Sequence, residues 1–251
     1  MPRLLTAFAA FMLAALAPAG ALLAALVWDP PALHSHETRL AQIAGPARAR
    51  LAPCFRRAGV AYPPARVVLA ALKRERLLRL YAAAPGGTLR YIRDYRIVGS
   101  SGGPGPKLAE GDGQVPEGIY PVGYLNPNSA VYLSLQVGYP NAFDRRMASR
   151  EGRQDLGGDI MIHGPSRAAR GCLALSQRAI EEVYVAAADA GADATTVIIS
   201  PVDFATGPPP VSGPAWTSRL YTDIAAALDA LPSPLETWRL VEAESAPVKR
   251  F

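Results

Sequence analysis

A histidine and a cysteine nine residues apart are the residues of this sequence best suited to chemistry. His163 follows the short apolar run 159–162, and Cys172 follows Gly171 after a polar loop. An imidazole within hydrogen-bond reach can take the proton of a thiol, and the amide groups that open a helix make a cysteine easier to deprotonate. The pattern therefore indicates a thiol nucleophile, Cys172, with His163 as its general base.

The glycine before the cysteine suggests how such a site would hold a developing charge. Gly171 has no Cβ, so a substrate carbonyl can approach the chain closely there. The backbone N–H groups of Gly171 and Cys172 are then candidates for binding an oxyanion. A second interpretation stays open from residue types alone: Cys172 is a small buried residue, and His163 is a strand-end histidine satisfied by the fold.

The flanking sequence predicts the elements that position these groups. Runs of β-branched and aromatic residues with turn signals between them predict strands at residues 67–72, 77–82, 89–98, 118–124 and 131–137. Residues 159–162 form the strand that ends at His163, and Cys172 is expected at a loop-to-helix junction. Ser176 is a candidate N-cap for a helix that ends at Gly191, and residues 195–200 predict a closing strand.

Length and charge narrow the class of protein. A chain of 251 residues with 50% hydrophobic residues can build one sizeable core. The net charge of +5 favours an anionic partner. No nucleic-acid recognition module is visible in the sequence, so we do not expect that partner to be a nucleic acid. His34 and His36 have no further His or Cys nearby, so no metal site is predicted.

Cys54 is the second cysteine of the chain. It is expected to stay unpaired, because a disulfide would block Cys172.

An uncharged segment at the amino terminus predicts export. Residues 4–28 carry no charged side chain and exceed the roughly 20 apolar residues that cross a bilayer. They are either a signal peptide with an A-x-A cleavage site at 17–19, or an uncleaved anchor with Arg3 on the cytoplasmic side. Both interpretations predict the periplasm or the cell envelope, with an inner-membrane anchor if the segment is uncleaved.

The sequence predicts four consecutive parts of the chain. Residues 1–28 are the signal peptide or anchor, residues 29–65 a linker or short helix, and residues 66–200 the catalytic domain. Residues 201–251 are a Pro-rich linker followed by a helix that packs on that domain.

Four separated motifs in this order resemble those of the L,D-transpeptidase catalytic domain family (YkuD-type), in its YafK-like branch. They are GPKLAEGDGQVPEGIY at 105–120, LNPNS at 125–129, GYPNAFD at 138–144, and IHG followed by GC at 162–172. The resemblance extends from about residue 67 to residue 200. It implies an α+β fold with a curved, mostly antiparallel β-sheet core and one or two packed helices.

The resemblance also implies an activity. It predicts a peptidoglycan-modifying cysteine acyltransferase that forms a thioester with stem peptides on Cys172 and needs no cofactor. The acceptor would be an amine, including one on a wall-linked protein. Two alternatives stay open: an amidase or carboxypeptidase that hydrolyses peptidoglycan-linked peptides, and a non-catalytic envelope protein that binds the wall.

Five side chains are predicted to bind substrate. The resemblance places Lys107, Tyr139 and Asn141 at the cleft, and the planar guanidinium groups of Arg167 and Arg170 can pair with stem-peptide carboxylates. Members of the family carry Ser or Thr where this chain has Ala169. We therefore expect another group, such as a backbone carbonyl, to orient His163.

Overall fold

A closed barrel of eight strands forms the centre of the fold. The computed structural model describes residues 33–166, 169–209 and 213–245. The strands are β1 (Arg66–Leu72), β2 (Leu77–Ala83), β3 (Arg90–Ser100), β4 (Gly118–Ser129), β5 (Tyr132–Val137), β6 (Met161–His163), β7 (Leu173–Leu175) and β8 (Thr195–Ser200). Around the barrel they follow the order β1-β2-β3-β7-β6-β5-β4-β8.

Closure of the barrel corrects the expected fold. The α+β class is as predicted, and six strand pairs are antiparallel against two parallel ones. The expected curved sheet is instead a closed barrel, because β1 and β8 pair in parallel with Val67 opposite Thr195. Closure leaves no unpaired sheet edge.

Helices are more numerous than the one or two expected. The described ranges contain α1 (His36–Arg57), α2 (Ala142–Arg150), α3 (Gln177–Ala190), α4 (Thr217–Asp229) and α5 (Pro234–Ser245). None of these combines the length and apolar content that a membrane span requires. The predicted signal peptide or anchor at 1–28 lies outside the described residues.

The segment predicted as a linker or short helix contains the 22-residue helix α1. Pro46 and Pro53 lie inside it, although proline removes a backbone donor and disfavours helix interiors. Contacts with α3 offset this cost: Arg48 pairs with Asp189 at 2.6 Å, and Arg50 contacts Glu181 and Glu182 of the same helix. The buried face of α1 consists of Ile43, Ala44, Ala47, Leu51 and Phe55.

The main core joins α1, α3 and one face of the barrel strands. The predicted apolar face of α3, with Ile180, Val183 and Tyr184, is fully buried there. Gly191 ends α3 with φ +97°, as its position predicts. A smaller cluster packs α4 on the opposite face of β1, β2 and β8.

Asp144 in the first turn of α2 makes stability depend on pH. Burial raises its pKa to about 6, against the lowering effect of the hydrogen bond from the Asn141 N–H. Because the native state holds the proton more tightly than the unfolded state, the favourable contribution of Asp144 is complete below about pH 4 and is lost as the pH rises through 6.

We therefore expect Asp144→Asn, which keeps an oxygen acceptor for the Asn141 N–H, to stabilise the protein at pH 7.5 by about 1–2 kcal/mol. Below pH 4 the difference between the two proteins should vanish. Urea unfolding of both proteins at the two pH values measures this. A difference of equal size at both pH values would contradict the assignment.

Candidate active site

His163 is the last residue of β6 and lies between two neighbouring strands. Ser134 of β5 stands opposite it in antiparallel register, and Ala174 of β7 in parallel register. Its side chain is 4% exposed. The Nδ1 atom lies 2.7 Å from the carbonyl oxygen of Gly164. Since a carbonyl only accepts, Nδ1 carries the hydrogen and Nε2 of the neutral ring is free to take a proton. The expectation that a backbone carbonyl orients His163 is confirmed.

Burial keeps this histidine neutral. It lowers the pKa of His163 below the ordinary 6.5, and the Gly164 carbonyl opposes that effect without cancelling it. At pH 7 the imidazole is therefore the neutral base that proton abstraction requires.

Cys172 lies beside β6, one residue before β7 begins. Its Sγ accepts from the Met161 N–H at 3.4 Å and donates to the Asp159 carbonyl at 3.6 Å. The parallel pairing of Ile162 with Leu173 puts Cys172 next to Met161, two residues before His163. The Cys172 thiol is therefore hydrogen-bonded to the main chain of β6, two residues before His163.

The prediction that Cys172 lies at a loop-to-helix junction is wrong. The three-residue strand β7 intervenes, and α3 begins only at Gln177 with Ser176 as its N-cap. The amide groups that open α3 therefore do not activate the thiol. Burial is the largest influence and raises the pKa of Cys172 above 9.0; the Met161 N–H and the charge of Lys107 lower it, and Asp159 raises it. The thiol is consequently protonated at neutral pH until a base removes its proton.

Gly171 occupies a position that only glycine fills without strain. Its φ is +76°, and a Cβ there would lie 3.0 Å from the Gln114 carbonyl oxygen. Its N–H, predicted to bind an oxyanion, donates to the Ser101 hydroxyl at 2.7 Å in this structure. The sequence does not single out Ser101, because a serine in a Gly-rich stretch carries no spacing signal.

Lys107 is buried and fixes the loop between β3 and β4. Its Nζ donates to Asp112 at 2.8 Å and to the Ala109 carbonyl at 2.7 Å. Asp112 in turn accepts from the N–H groups of Leu108, Ala109 and Gln114. The charge of Lys107 lowers the pKa of Cys172 by less than burial raises it, and the donors of Lys107 bind the loop.

The other predicted substrate residues are placed differently. Tyr139 is buried and donates to the Leu156 carbonyl at 3.2 Å. Asn141 is the N-cap of α2, and its amide also donates to the Ile119 carbonyl at 3.0 Å. Arg170 is exposed, and Arg167 lies outside the described residues. The structure thus uses the side chains of Lys107, Tyr139 and Asn141 in hydrogen bonds within the fold.

Several known proteins resemble this chain. YafK of Escherichia coli (strain K12), provisionally named an L,D-transpeptidase, is 37% identical over 120 residues, which cover 47% of this chain and 46% of YafK. The chain therefore spans about half the length of the curated relatives it matches.

Two solved structures are also similar to this chain. The helical cell shape determining protein Pgp2 from Campylobacter jejuni is 26% identical with a TM-score of 0.45, covering 55% of this chain and 48% of Pgp2. Bd1075 from Bdellovibrio bacteriovorus is 19% identical with a TM-score of 0.41, covering 67% and 58%.

The family comparison covers the barrel and the site together. The model of the L,D-transpeptidase catalytic domain, YkuD, matches residues 65–199, from the start of β1 to the end of β8. This range contains His163 and Cys172 and excludes α1, α4 and α5. The resemblance found in the sequence motifs is confirmed: the chain belongs to the L,D-transpeptidase catalytic domain family.

Proposed function

We propose that this protein is an acyltransferase of the bacterial cell wall, which acts on peptidoglycan stem peptides through a thioester on Cys172. The observation that carries the proposal is the neutral, backbone-oriented imidazole of His163 at the end of β6, two residues after Met161, whose N–H donates to the Cys172 thiol. Residues 66–200 are the catalytic domain of this proposal, and α1 and the C-terminal helices pack around it.

In the first half of the reaction, Nε2 of His163 takes the Cys172 proton as sulfur attacks the carbonyl carbon of a stem-peptide amide. The carbonyl electrons move to oxygen, and the Cys172 N–H holds the resulting oxyanion, while the Gly171 N–H stays bonded to the Ser101 hydroxyl. The C–N bond then breaks, and protonated His163 returns the proton to the leaving amine. The products are an acyl-thioester and a free amine.

In the second half, an acceptor amine attacks the thioester and gives its proton to His163. The C–S bond breaks, a new amide forms, and the thiolate recovers the proton. Water in place of the amine gives a carboxylate, which is the hydrolytic outcome. The same two residues serve both reactions, and no cofactor is needed for either.

Burial raises the pKa of Cys172, so the thiolate forms when a base takes the proton, and the positive charge of Lys107 opposes the effect of burial only in part. The exposed Arg170 remains a candidate partner for stem-peptide carboxylates. The uncharged segment at 4–28 supports action in the cell envelope, where the wall is built.

Mass spectrometry of the chain incubated with purified muropeptides tests the proposal. We expect an adduct on the peptide that contains Cys172, with the mass of the donor minus its leaving amine. Added amine acceptor should yield a new amide, and its omission should yield a carboxylate at a lower rate. If hydrolysis proceeds equally fast with acceptor present, the enzyme is an amidase or carboxypeptidase.

A wall-binding protein without catalysis predicts a different result. Muropeptides would then bind without an adduct or a product. Cys172 would also resist iodoacetamide in the native protein while reacting after denaturation. This combination of results would overturn the proposal.

A further inference from the structure

The hydroxyl of Ser101 joins three segments next to the candidate nucleophile. Ser101 follows the last residue of β3, and its Oγ donates to the Gly113 carbonyl at 2.7 Å. The same oxygen accepts from the Gly171 N–H at 2.7 Å. A hydroxyl has one hydrogen, so the directions of both bonds are determined. The result is a directed chain of hydrogen bonds from the peptide before Gly171, through Ser101, to the loop between β3 and β4.

The main chain around this hydroxyl is packed too closely to shift freely. A Cβ on Gly171 would lie 3.0 Å from the Gln114 carbonyl oxygen and 3.1 Å from Ile160 Cδ1. Gly99 of β3 is packed just as closely: a Cβ there would lie 3.0 Å from the Ser166 carbonyl oxygen and 3.1 Å from Ala174 Cβ. These contacts limit translation of the cysteine loop. The hydrogen bond to Ser101 limits rotation of the peptide plane that enters Gly171.

We propose that Ser101 is a positioning residue for acyl transfer, which holds the peptide preceding Gly171 in the orientation that the reaction needs. The inference rests on the proposed function. The residue touches no reacting atom in this role. Its hydroxyl fixes the Gly171 N–H, and through Gly171 it fixes the direction of the Cys172 N–H. Oxyanion stabilisation depends on donors that are held in place before the charge develops, so loss of this hold lowers the rate of the chemical step.

A matched pair of variants separates the hydroxyl from the space it fills. Ser101→Thr keeps the oxygen, whereas Ser101→Val has nearly the same shape without it. We expect the valine variant to lose about 10- to 100-fold in kcat for acyl transfer, with KM changed by less than about threefold. The threonine variant should keep at least about a third of the wild-type kcat, because its hydroxyl can make both bonds.

Alkylation of Cys172 by iodoacetamide supplies the second measurement. This displacement at a saturated carbon develops no oxyanion, so its rate should stay within about twofold of wild type in both variants. A variant that was merely less folded would also lose acyl transfer. Circular dichroism would detect that loss of structure. Should the valine variant not fold, Ser101→Ala gives the same comparison with threonine.

The outcomes separate the two proposals. Valine and threonine variants with equal kcat, whether high or low, would overturn the role of the Ser101 hydroxyl while leaving the proposed function intact. A loss of alkylation parallel to the loss of kcat would also overturn it, because the defect would then lie in the thiol itself. Absence of turnover in the wild-type chain would overturn both proposals.

Discussion

Replacing Cys172 by alanine is expected to abolish turnover of muropeptides, with a loss of more than about 10³-fold in kcat/KM, and to remove the acyl adduct. The sulfur is the atom that bonds to the substrate, and no neighbouring side chain can replace it. The protein should remain folded, because the thiol is half-buried and makes only two long hydrogen bonds, at 3.4 Å and 3.6 Å. We expect unfolding free energy to fall by no more than about 1 kcal/mol.

The other cysteine provides a matched control. Cys54 is also a half-buried free thiol, but it lies on α1, outside the range that matches the family. Cys54→Ala should retain full turnover, whereas Cys172→Ala should retain none. Undiminished turnover in the Cys172 variant, or an adduct that maps to Cys54, would refute the assigned nucleophile.

The candidate site illustrates what local sequence can predict. The pair of His163 and Cys172 was found because a histidine at the end of an apolar run and a cysteine after glycine are local features. The junction at Cys172 was misjudged because the strand Leu173–Leu175 is three residues long, too short for any periodicity to identify. Its strand character comes from pairing with β3 and β6, which are distant in sequence.

Burial and closure depend on contacts that a single sequence does not reveal. The resemblance predicts Lys107 at the substrate, yet Asp112 and the Ala109 carbonyl bind its ammonium group inside the loop. Barrel closure depends on the parallel pairing of Val67 with Thr195. Helix α1 persists through two prolines because α3 supplies ion pairs and an apolar face. In each case a long-range contact outweighs the local propensity.

Replacing His163 by asparagine should lower kcat/KM at pH 7 by about 10²- to 10⁴-fold, which is the usual contribution of a general base. Asparagine is the informative substitution, because its side-chain N–H can still donate to the Gly164 carbonyl while no atom replaces Nε2. The loss would then reflect proton transfer more than any collapse of the β6 terminus. Circular dichroism and the melting temperature check that the fold survives.

The pH dependence makes this prediction stricter. Burial lowers the pKa of His163 below 6.5, so wild-type activity should rise as the pH increases through that pKa and then stay level near neutrality. Burial raises the pKa of Cys172 above 9.0, so without the base only the small thiolate fraction reacts, and that fraction grows with pH. The deficit of His163→Asn should therefore shrink steadily between pH 6 and pH 10. A constant deficit across this range would mean that His163 shapes the site without accepting the thiol proton, and the covalent mechanism would then need a different base.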